Sequence, residues 1–193
     1  MPDTVAVILA GGEGRRMGGN KPLQHLGAER LIDIAISQVR GWNIEVAVAV
    51  RYAGQVPGID VPEICDAEFE GPLAGLAAAL RWAGSLRADY LLVVPCDTPG
   101  LPSDLPARLM AAAVAASAPS FARSMGGDHP ECAIWPVTAA AQVEAFAAEG
   151  GRSLTGALER CGAIAADWSG ETGDPFVNLN TQADIQRFRS GRP

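Results

Sequence analysis

A glycine-rich segment carries the clearest chemical signal in the sequence. Residues 9–21 read LAGGEGRRMGGNK and contain five glycines together with the cations Arg15, Arg16 and Lys21. Glycines allow tight turns that bring backbone N–H groups close to phosphate oxygens, and the cations neutralise phosphate charge. The segment therefore predicts a phosphate-binding loop whose cations can neutralise a triphosphate, and the alternative is a glycine-rich turn with solvated cations.

Two common phosphate-binding motifs do not fit this segment. A P-loop requires GxxxxGK[ST], and although Gly14 and Gly19 supply its frame, the lysine comes one position late and Pro22 follows in place of a hydroxyl residue. A Rossmann fingerprint fails as well, because no third glycine follows Gly12 and Gly14 at the required spacing.

Two aspartates follow strand-like runs. Asp97 lies in PCDTP, directly after the apolar run DYLLVV, where a carboxylate beside bound phosphates would bind Mg²⁺. The alternative for Asp97 is a turn or helix-capping role. Asp66 ends a second run, and the following GPLAGL of residues 71–76 either approaches a nucleotide sugar or packs a helix against a sheet. We predict Asp97 as the magnesium ligand.

Two amides stand close together near the end of the chain. Asn178 and Asn180 lie in FVNLNT, and in an extended segment side chains two residues apart point the same way. Such a pair suits a heterocycle or a phosphate, and helix capping is the alternative. The segment Asp128–His129–Pro130 predicts turn or binding chemistry, because no serine or cysteine nucleophile can be paired with His129 from sequence.

Alternating strands and helices must position these residues. The pattern predicts an α/β fold, a three-layer, mostly parallel sheet with helices on both faces. Ligands of such sheets bind at the carboxyl ends of the strands. Residues 126–130 predict a turn, and residues 167–175 a surface loop. Predicted strands cover residues 4–10, 44–50, 61–64, 89–94, 120–124 and 132–135; predicted helices cover residues 30–40, 73–83, 102–116, 137–148, 153–160 and 181–189.

The length, the net charge and the spacing of the cysteines limit the classes of protein to which the chain can belong. With 193 residues we expect a single domain spanning 1–193, and the net charge of −7 disfavours nucleic acid and anionic membranes as partners. The four cysteines are widely spaced, with no CxxC pair, so zinc and iron–sulfur sites are not expected. No apolar run reaches the roughly 20 residues of a membrane span. Without a signal-peptide pattern at the start, we expect a cytoplasmic protein.

The motifs LAGGEGRRMGGNK, GPLAGL, PCDTP, DHP and FVNLNT, in this order, resemble those of the molybdenum cofactor guanylyltransferases, within the wider nucleotidyltransferase group. The similarity runs from Val5 to about Phe188. The opening motif is typical of the whole group, whereas PCDTP and the terminal NxNT are typical of the molybdopterin branch. The second glycine of LAGG favours guanylyl over cytidylyl relatives.

The resemblance implies transfer of GMP from Mg²⁺-GTP to the terminal phosphate of molybdopterin or its molybdenum-bearing form, with release of pyrophosphate. It implies a nucleotide-binding part at about 1–100 and an acceptor-binding part at about 101–193, with molybdoenzyme chaperones or cofactor-insertion proteins as partners. The implied catalytic residues are Lys21, Arg16 and Asp97. The implied nucleotide-binding residues are Leu9, Ala10, Gly11, Gly12, Lys21, Asp66 and Asp97, and the implied acceptor-binding residues are Asn178 and Asn180.

One departure from the family pattern concerns the second strand. Relatives often carry Asn-x-Asn-Arg near its end, whereas this sequence reads Val48–Ala49–Val50–Arg51 and keeps only the arginine. Two other classes share the opening loop: a nucleotidyltransferase that uses CTP or a sugar-phosphate acceptor, and a non-catalytic nucleotide-binding regulator.

Overall fold

The computed structural model describes residues 2–11, 20–65 and 71–190. These residues form a seven-stranded sheet and a two-stranded sheet, with three clusters of buried hydrophobic side chains. The strands are β1 (Thr4–Leu9), β2 (His25–Leu26), β3 (Glu29–Arg30), β4 (Glu45–Val50), β5 (Glu63–Cys65), β6 (Tyr90–Pro95), β7 (Ser120–Ser124), β8 (Gly127–Pro136) and β9 (Ile164–Asp167). The helices are α1 (Leu31–Gly41), α2 (Pro72–Ser85), α3 (Leu105–Ala116), α4 (Ala140–Ala148), α5 (Leu154–Arg160) and α6 (Gln182–Arg189).

The main sheet has seven strands in the order β5-β4-β1-β6-β8-β7-β9. All its strands run parallel except β8, which is antiparallel to both β6 and β7. The chain leaves β1 towards β4 and β5 and then crosses back to β6 on the other side of β1. This reversal between β1 and β6 is the topological switch point at which open α/β sheets bind their ligands.

Each face of the sheet buries its own hydrophobic core. Side chains of consecutive strand residues point to opposite faces, so Ala6 and Ile8 of β1 join one core while Val5 and Val7 join the other. Helices α1 and α3 cover the first face, and α2, α4 and α5 cover the second. The predicted three-layer α/β fold with a mostly parallel sheet is therefore confirmed. Among the described residues, no helix combines the length and apolar character needed to cross a bilayer.

The hairpin of β7 and β8 differs from the prediction. Residues 126–130 were expected to form a turn, but β8 already begins at Gly127, and His129 pairs with Ala122 of β7. The strand begins early because the chain reverses within residues 125–126, so the following polar residues can pair with β7. Strand β9 was not predicted, because its four residues carry only a weak strand pattern.

Candidate functional site

The end of β1 forms one wall of the site at the switch point. Leu9 accepts a hydrogen bond from the backbone N–H of Cys96 (3.3 Å), and the Ala10 N–H donates to Ala49 O (2.9 Å). Gly11 lies beside Arg51, the residue that follows β4: a Cβ added to Gly11 would be 3.4 Å from Cγ of Arg51. Leu9, Ala10 and Gly11, for which the resemblance implies nucleotide contacts, thus lie at the switch point of the sheet.

A buried glutamine fixes this wall. The side chain of Gln55 is 9% exposed; it accepts from the backbone N–H of Arg51 (2.7 Å) and donates to the carbonyl of Ala10 (3.2 Å). The two bonds use both ends of the amide to join the loop after β4 to the end of β1. Val48 and Val50, where the sequence departs from the pattern of the family it resembles, are buried in the core. Gln55, which the sequence analysis did not identify, supplies an amide beside the end of β1.

Lys21, Asp97 and Asn180, here called the strand-end cluster, meet where β1 and β6 end. The Lys21 ammonium forms an ion pair with Asp97 and donates to Asn180 Oδ1 at 2.6 Å. The Lys21 and Asp97 side chains are only 15% and 12% exposed, so the pair is shielded from solvent and weakly screened. Residues from three distant parts of the sequence thus meet at one point, and the contact of Lys21 with Asn180 was not predicted.

The segment 176–180 lies against the end of β6. The Leu179 N–H donates to the carbonyl of Asp97 (2.9 Å), and Leu179 itself is fully buried. The Asn178 side chain accepts from the Thr98 hydroxyl and donates to Glu131 Oε1 (3.3 Å). Asn178 and Asn180 were expected to act as one pair, but the structure gives them different partners. Asn180 contacts the cation Lys21, whereas Asn178 lies towards the anion Glu131.

His129 is buried and makes contacts that support the fold. Its Nε2 lies 2.8 Å from Ser124 Oγ, both residues are buried, and its ring stacks on Phe176 at a centroid distance of 4.6 Å. The Gly126 N–H donates to the same hydroxyl oxygen at 3.1 Å. The sequence could not pair a serine with His129, whereas the structure provides Ser124. The group anchors Phe176, and with it the start of the 176–180 segment.

The buried thiols beside the site are held in their neutral form. Burial raises the pKa of Cys96, next to Asp97, to about 12. Burial likewise raises the pKa of Cys132 well above its ordinary value. A thiol that stays protonated is a poor nucleophile and a poor metal ligand. The carboxylate of Asp97 is therefore the group at the end of β6 that suits a hard cation.

The donor set matches a magnesium ion that is shared with phosphates. Within ranges 2–11, 20–65 and 71–190, no three His, Cys, Asp or Glu side chains group closely enough to hold a metal ion. Magnesium usually retains several waters and binds one or two carboxylates together with substrate phosphates. Asp97, as a single carboxylate beside the cation Lys21, fits that mode of binding.

Three predicted site residues, Gly12, Arg16 and Asp66, lie outside the described residues. The structure also adds three side chains that the sequence analysis did not identify as functional: Thr98, Gln55 and Glu131. Thr98 follows Asp97 directly, so the motif PCDTP could have indicated it. Nothing in the local sequence marks Gln55 or Glu131, because their contacts join segments distant along the chain.

Asp184 holds the backbone of the 178–180 segment. Its carboxylate accepts from the N–H groups of Asn180 (2.9 Å) and Thr181 (2.7 Å), and the Thr181 hydroxyl accepts from the Asp184 N–H (3.1 Å). These bonds form a capping box at the start of α6. Hydrogen bonding, first from Thr181 and then from Arg187 and the backbone, lowers the pKa of the Asp184 carboxyl.

We expect Asp184→Asn to lower the free energy of unfolding by about 1 kcal/mol at pH 7, a magnitude typical of a lost helix cap. Because the folded pKa lies below the unfolded value of about 3.9, the charge stabilises the fold above that pH. The stabilisation disappears as the pH falls through the folded pKa. Urea unfolding of wild type and variant at pH 7 and pH 3 measures the stability that the charge contributes. Asp60→Asn serves as the control, because the Asp60 side chain is 74% exposed and its loss should change stability little. Equal losses at both pH values would contradict the role of the charge.

A family model and relatives from two organisms match most of this chain. A family model described as a MobA-like NTP transferase domain matches residues 6–170. The molybdenum cofactor guanylyltransferase of Acidiphilium cryptum (strain JF-5) is 43% identical over 194 residues, which cover 97% of this chain and 94% of that protein. The protein of the same name from Rhodobacter capsulatus is 40% identical over 186 residues, which cover 94% of this chain and 92% of that protein.

Solved structures share the fold. Molybdopterin-guanine dinucleotide biosynthesis protein A from Archaeoglobus fulgidus matches with a TM-score of 0.79 at 24% identity, over 95% of each chain. The 2-C-methyl-D-erythritol 4-phosphate cytidylyltransferase of Francisella tularensis matches with a TM-score of 0.74 at 12% identity, over 97% of this chain and 99% of that one. At these identities the two matches show a common fold.

Proposed function

We propose that this chain, which belongs to the MobA-like NTP transferase family, transfers GMP from GTP to the terminal phosphate of molybdopterin or its molybdenum-bearing form. The products are the guanine dinucleotide cofactor and pyrophosphate. The observation that carries the proposal is the strand-end cluster, in which Lys21, Asp97 and Asn180 converge at the switch point of the sheet. The guanylyltransferase relatives, alike over nearly the whole chain, support the choice of nucleotide and acceptor.

The reaction needs no covalent enzyme intermediate. An oxygen of the acceptor phosphate attacks the α-phosphorus of GTP, the new P–O bond forms, and the bond to the β-phosphate oxygen breaks with release of pyrophosphate. The nucleophile is already an anion, so catalysis consists of holding two highly charged phosphates in line and neutralising the leaving group.

The chain's own residues supply most of this neutralisation. In the cluster the Lys21 ammonium is held by a carboxylate and an amide oxygen, and a triphosphate would compete with both for the same cation. Asp97 would then be available as the carboxylate that holds Mg²⁺. The ion, when bound, neutralises charge on the phosphate oxygens. We include Arg16 as a second cation for the leaving group, and Gly12 and Asp66 as nucleotide contacts.

We also propose how the molecule is divided. The nucleotide-binding part is about 1–100, which contains β1 and the loop after β4, and the acceptor-binding part is about 101–193, which contains β8 and the segment 176–180. The contact between Lys21 and Asn180 joins the two parts at 2.6 Å. We place the protein in the cytoplasm, where it would pass its product to a molybdoenzyme chaperone or cofactor-insertion protein.

A substrate comparison tests this function. Purified protein is incubated with Mg²⁺, one nucleoside triphosphate and one acceptor, and pyrophosphate release is measured. We expect turnover with GTP and molybdopterin, and little with CTP or with sugar phosphates. A rise in melting temperature with Mg²⁺-GTP but none with Mg²⁺-CTP would support the nucleotide assignment separately. Turnover of CTP or a sugar phosphate, or GTP binding without turnover, would contradict the proposal.

Substitution of the amides tests the acceptor half of the site. We expect Asn178→Ala to raise the KM for molybdopterin about tenfold while the Kd for GTP stays near wild type, because a removed amide leaves polar partners unpaired at about 1–3 kcal/mol. Asn180→Ala should also impair use of molybdopterin, and its contact with Lys21 should lower kcat as well. Calorimetric titration and steady-state kinetics measure both effects.

The neighbouring substitution Val177→Ala serves as a control, because this side chain is 46% exposed and is not part of the proposed site. It should leave both constants unchanged. If Asn178→Ala weakened GTP binding and spared molybdopterin, the two halves of the site would be assigned in reverse.

A further inference from the structure

Glu131 is a carboxylate beside the proposed acceptor site to which no role is yet assigned. It lies on β8, is partly buried, and accepts a hydrogen bond from Asn178 Nδ2 at 3.3 Å through Oε1. The Asn178 oxygen accepts from the Thr98 hydroxyl. These two bonds fix which end of the amide faces Glu131, and they leave the second carboxylate oxygen, Oε2, outside this contact.

The order of the strands places Glu131 on the acceptor side. Strand β8 neighbours β6 on the side opposite to β1, and β1 carries the predicted nucleotide contacts. The antiparallel register sets Val93 of β6 opposite Ala133 of β8. Glu131 precedes Ala133 by two residues on β8 and therefore lies towards the carboxyl end of β6, near Thr98.

The site is consequently polarised across the end of β6. On the β1 side the cation Lys21 contacts Asn180, and on the β8 side the anion Glu131 contacts Asn178. A phosphate that competes with Asp97 for the Lys21 ammonium is attracted to the first end, whereas Glu131 repels a phosphate at the second. A carboxylate accepts two hydrogen bonds at once from neighbouring N–H groups, and such charge-assisted pairs are the stronger ones. The Glu131 end therefore suits a neutral group rich in N–H donors.

Resting on the function proposed above, we propose that Glu131 is an acceptor-binding residue whose carboxylate binds the N–H edge of a 2-amino-4-oxopyrimidine ring. Both substrates carry this edge, the acceptor in its pterin and GTP in its guanine. The position of Glu131 beyond β6 assigns the contact to the pterin. The carboxylate thereby orients the acceptor, with its heterocycle at β8 and its phosphate towards Lys21.

Comparison of Glu131→Gln with Glu131→Ala tests this proposal. The glutamine keeps an oxygen that can accept from Asn178 but lacks the charge and one acceptor. We expect it to raise the KM for molybdopterin at saturating GTP about tenfold or more, with the Kd for GTP and the melting temperature unchanged. Glu144→Gln is the matched control, since Glu144 pairs with Arg81 away from the site, and it should behave as wild type.

Each other result overturns the inference in a distinct way. If Glu131→Gln matched wild type while Glu131→Ala matched Asn178→Ala, Glu131 would only position Asn178. If Glu131→Gln raised the KM for GTP and not that for molybdopterin, the edge bound would be that of guanine. Turnover of GTP and molybdopterin by the wild-type protein is measured alongside the variants. Absence of that turnover would contradict the proposed function itself, whatever the Glu131 variants show.

Discussion

Asp97→Asn is expected to reduce turnover by at least about 10³-fold while the fold stays intact. The substitution keeps the shape of a side chain that is 12% exposed but removes the charge that pairs with Lys21 and that would hold Mg²⁺ against the phosphates. Electrostatic groups aimed at developing charge contribute some of the largest single effects in catalysis. Pyrophosphate release over a range of Mg²⁺ concentrations measures the loss.

Asp89 offers a matched control at the other end of β6. It lies just before β6, at the opposite end from Asp97, where its carboxylate accepts from the backbone N–H of Asp3 (3.0 Å). Asp89→Asn should therefore leave turnover near wild type. Near wild-type activity of Asp97→Asn at low Mg²⁺ would show that the carboxylate does not serve as the metal ligand.

Lys21→Ala is expected to lower kcat by about 10²–10³-fold and to weaken GTP binding less than tenfold. The ammonium should interact most strongly as charge accumulates on the departing pyrophosphate, so its loss affects the transition state more than the ground state. Single-turnover kinetics and calorimetry separate the two effects. A fall in affinity with unchanged turnover would make Lys21 a simple binding residue.

The sequence allows a second test of Lys21, because it is the only lysine in the chain. An amine-directed acylating reagent can therefore modify Lys21 and, apart from it, only the α-amino group. We expect modification of Lys21, located by peptide mass spectrometry, to abolish turnover and to be slowed by Mg²⁺-GTP. Arg40→Ala controls for loss of a cation elsewhere, since Arg40 pairs with Asp60 at an exposed position.

The fold class and the positions of several candidate site residues were predictable from local patterns. Apolar runs such as TVAVIL and YLLVVP, bounded by turn residues, are typical of strands covered on both faces, and polar residues that follow parallel strands lie at one edge of the sheet. Lys21 and Asp97 were predictable for this reason. The capping box at Thr181 was also predictable, since its partners lie three residues apart.

Only the tertiary structure decided how those residues are paired. Asn178 and Asn180 are alike in sequence, yet one contacts Glu131 and the other Lys21. The difference arises because β8 runs antiparallel beside β6, which brings Glu131 to one side of the 176–180 segment while Lys21 stands on the other. Gln55 is a similar case, joining Ala10 and Arg51 across a turn. The strand order brings together segments that are distant along the chain, and a residue pattern read along the chain does not specify which of them will meet.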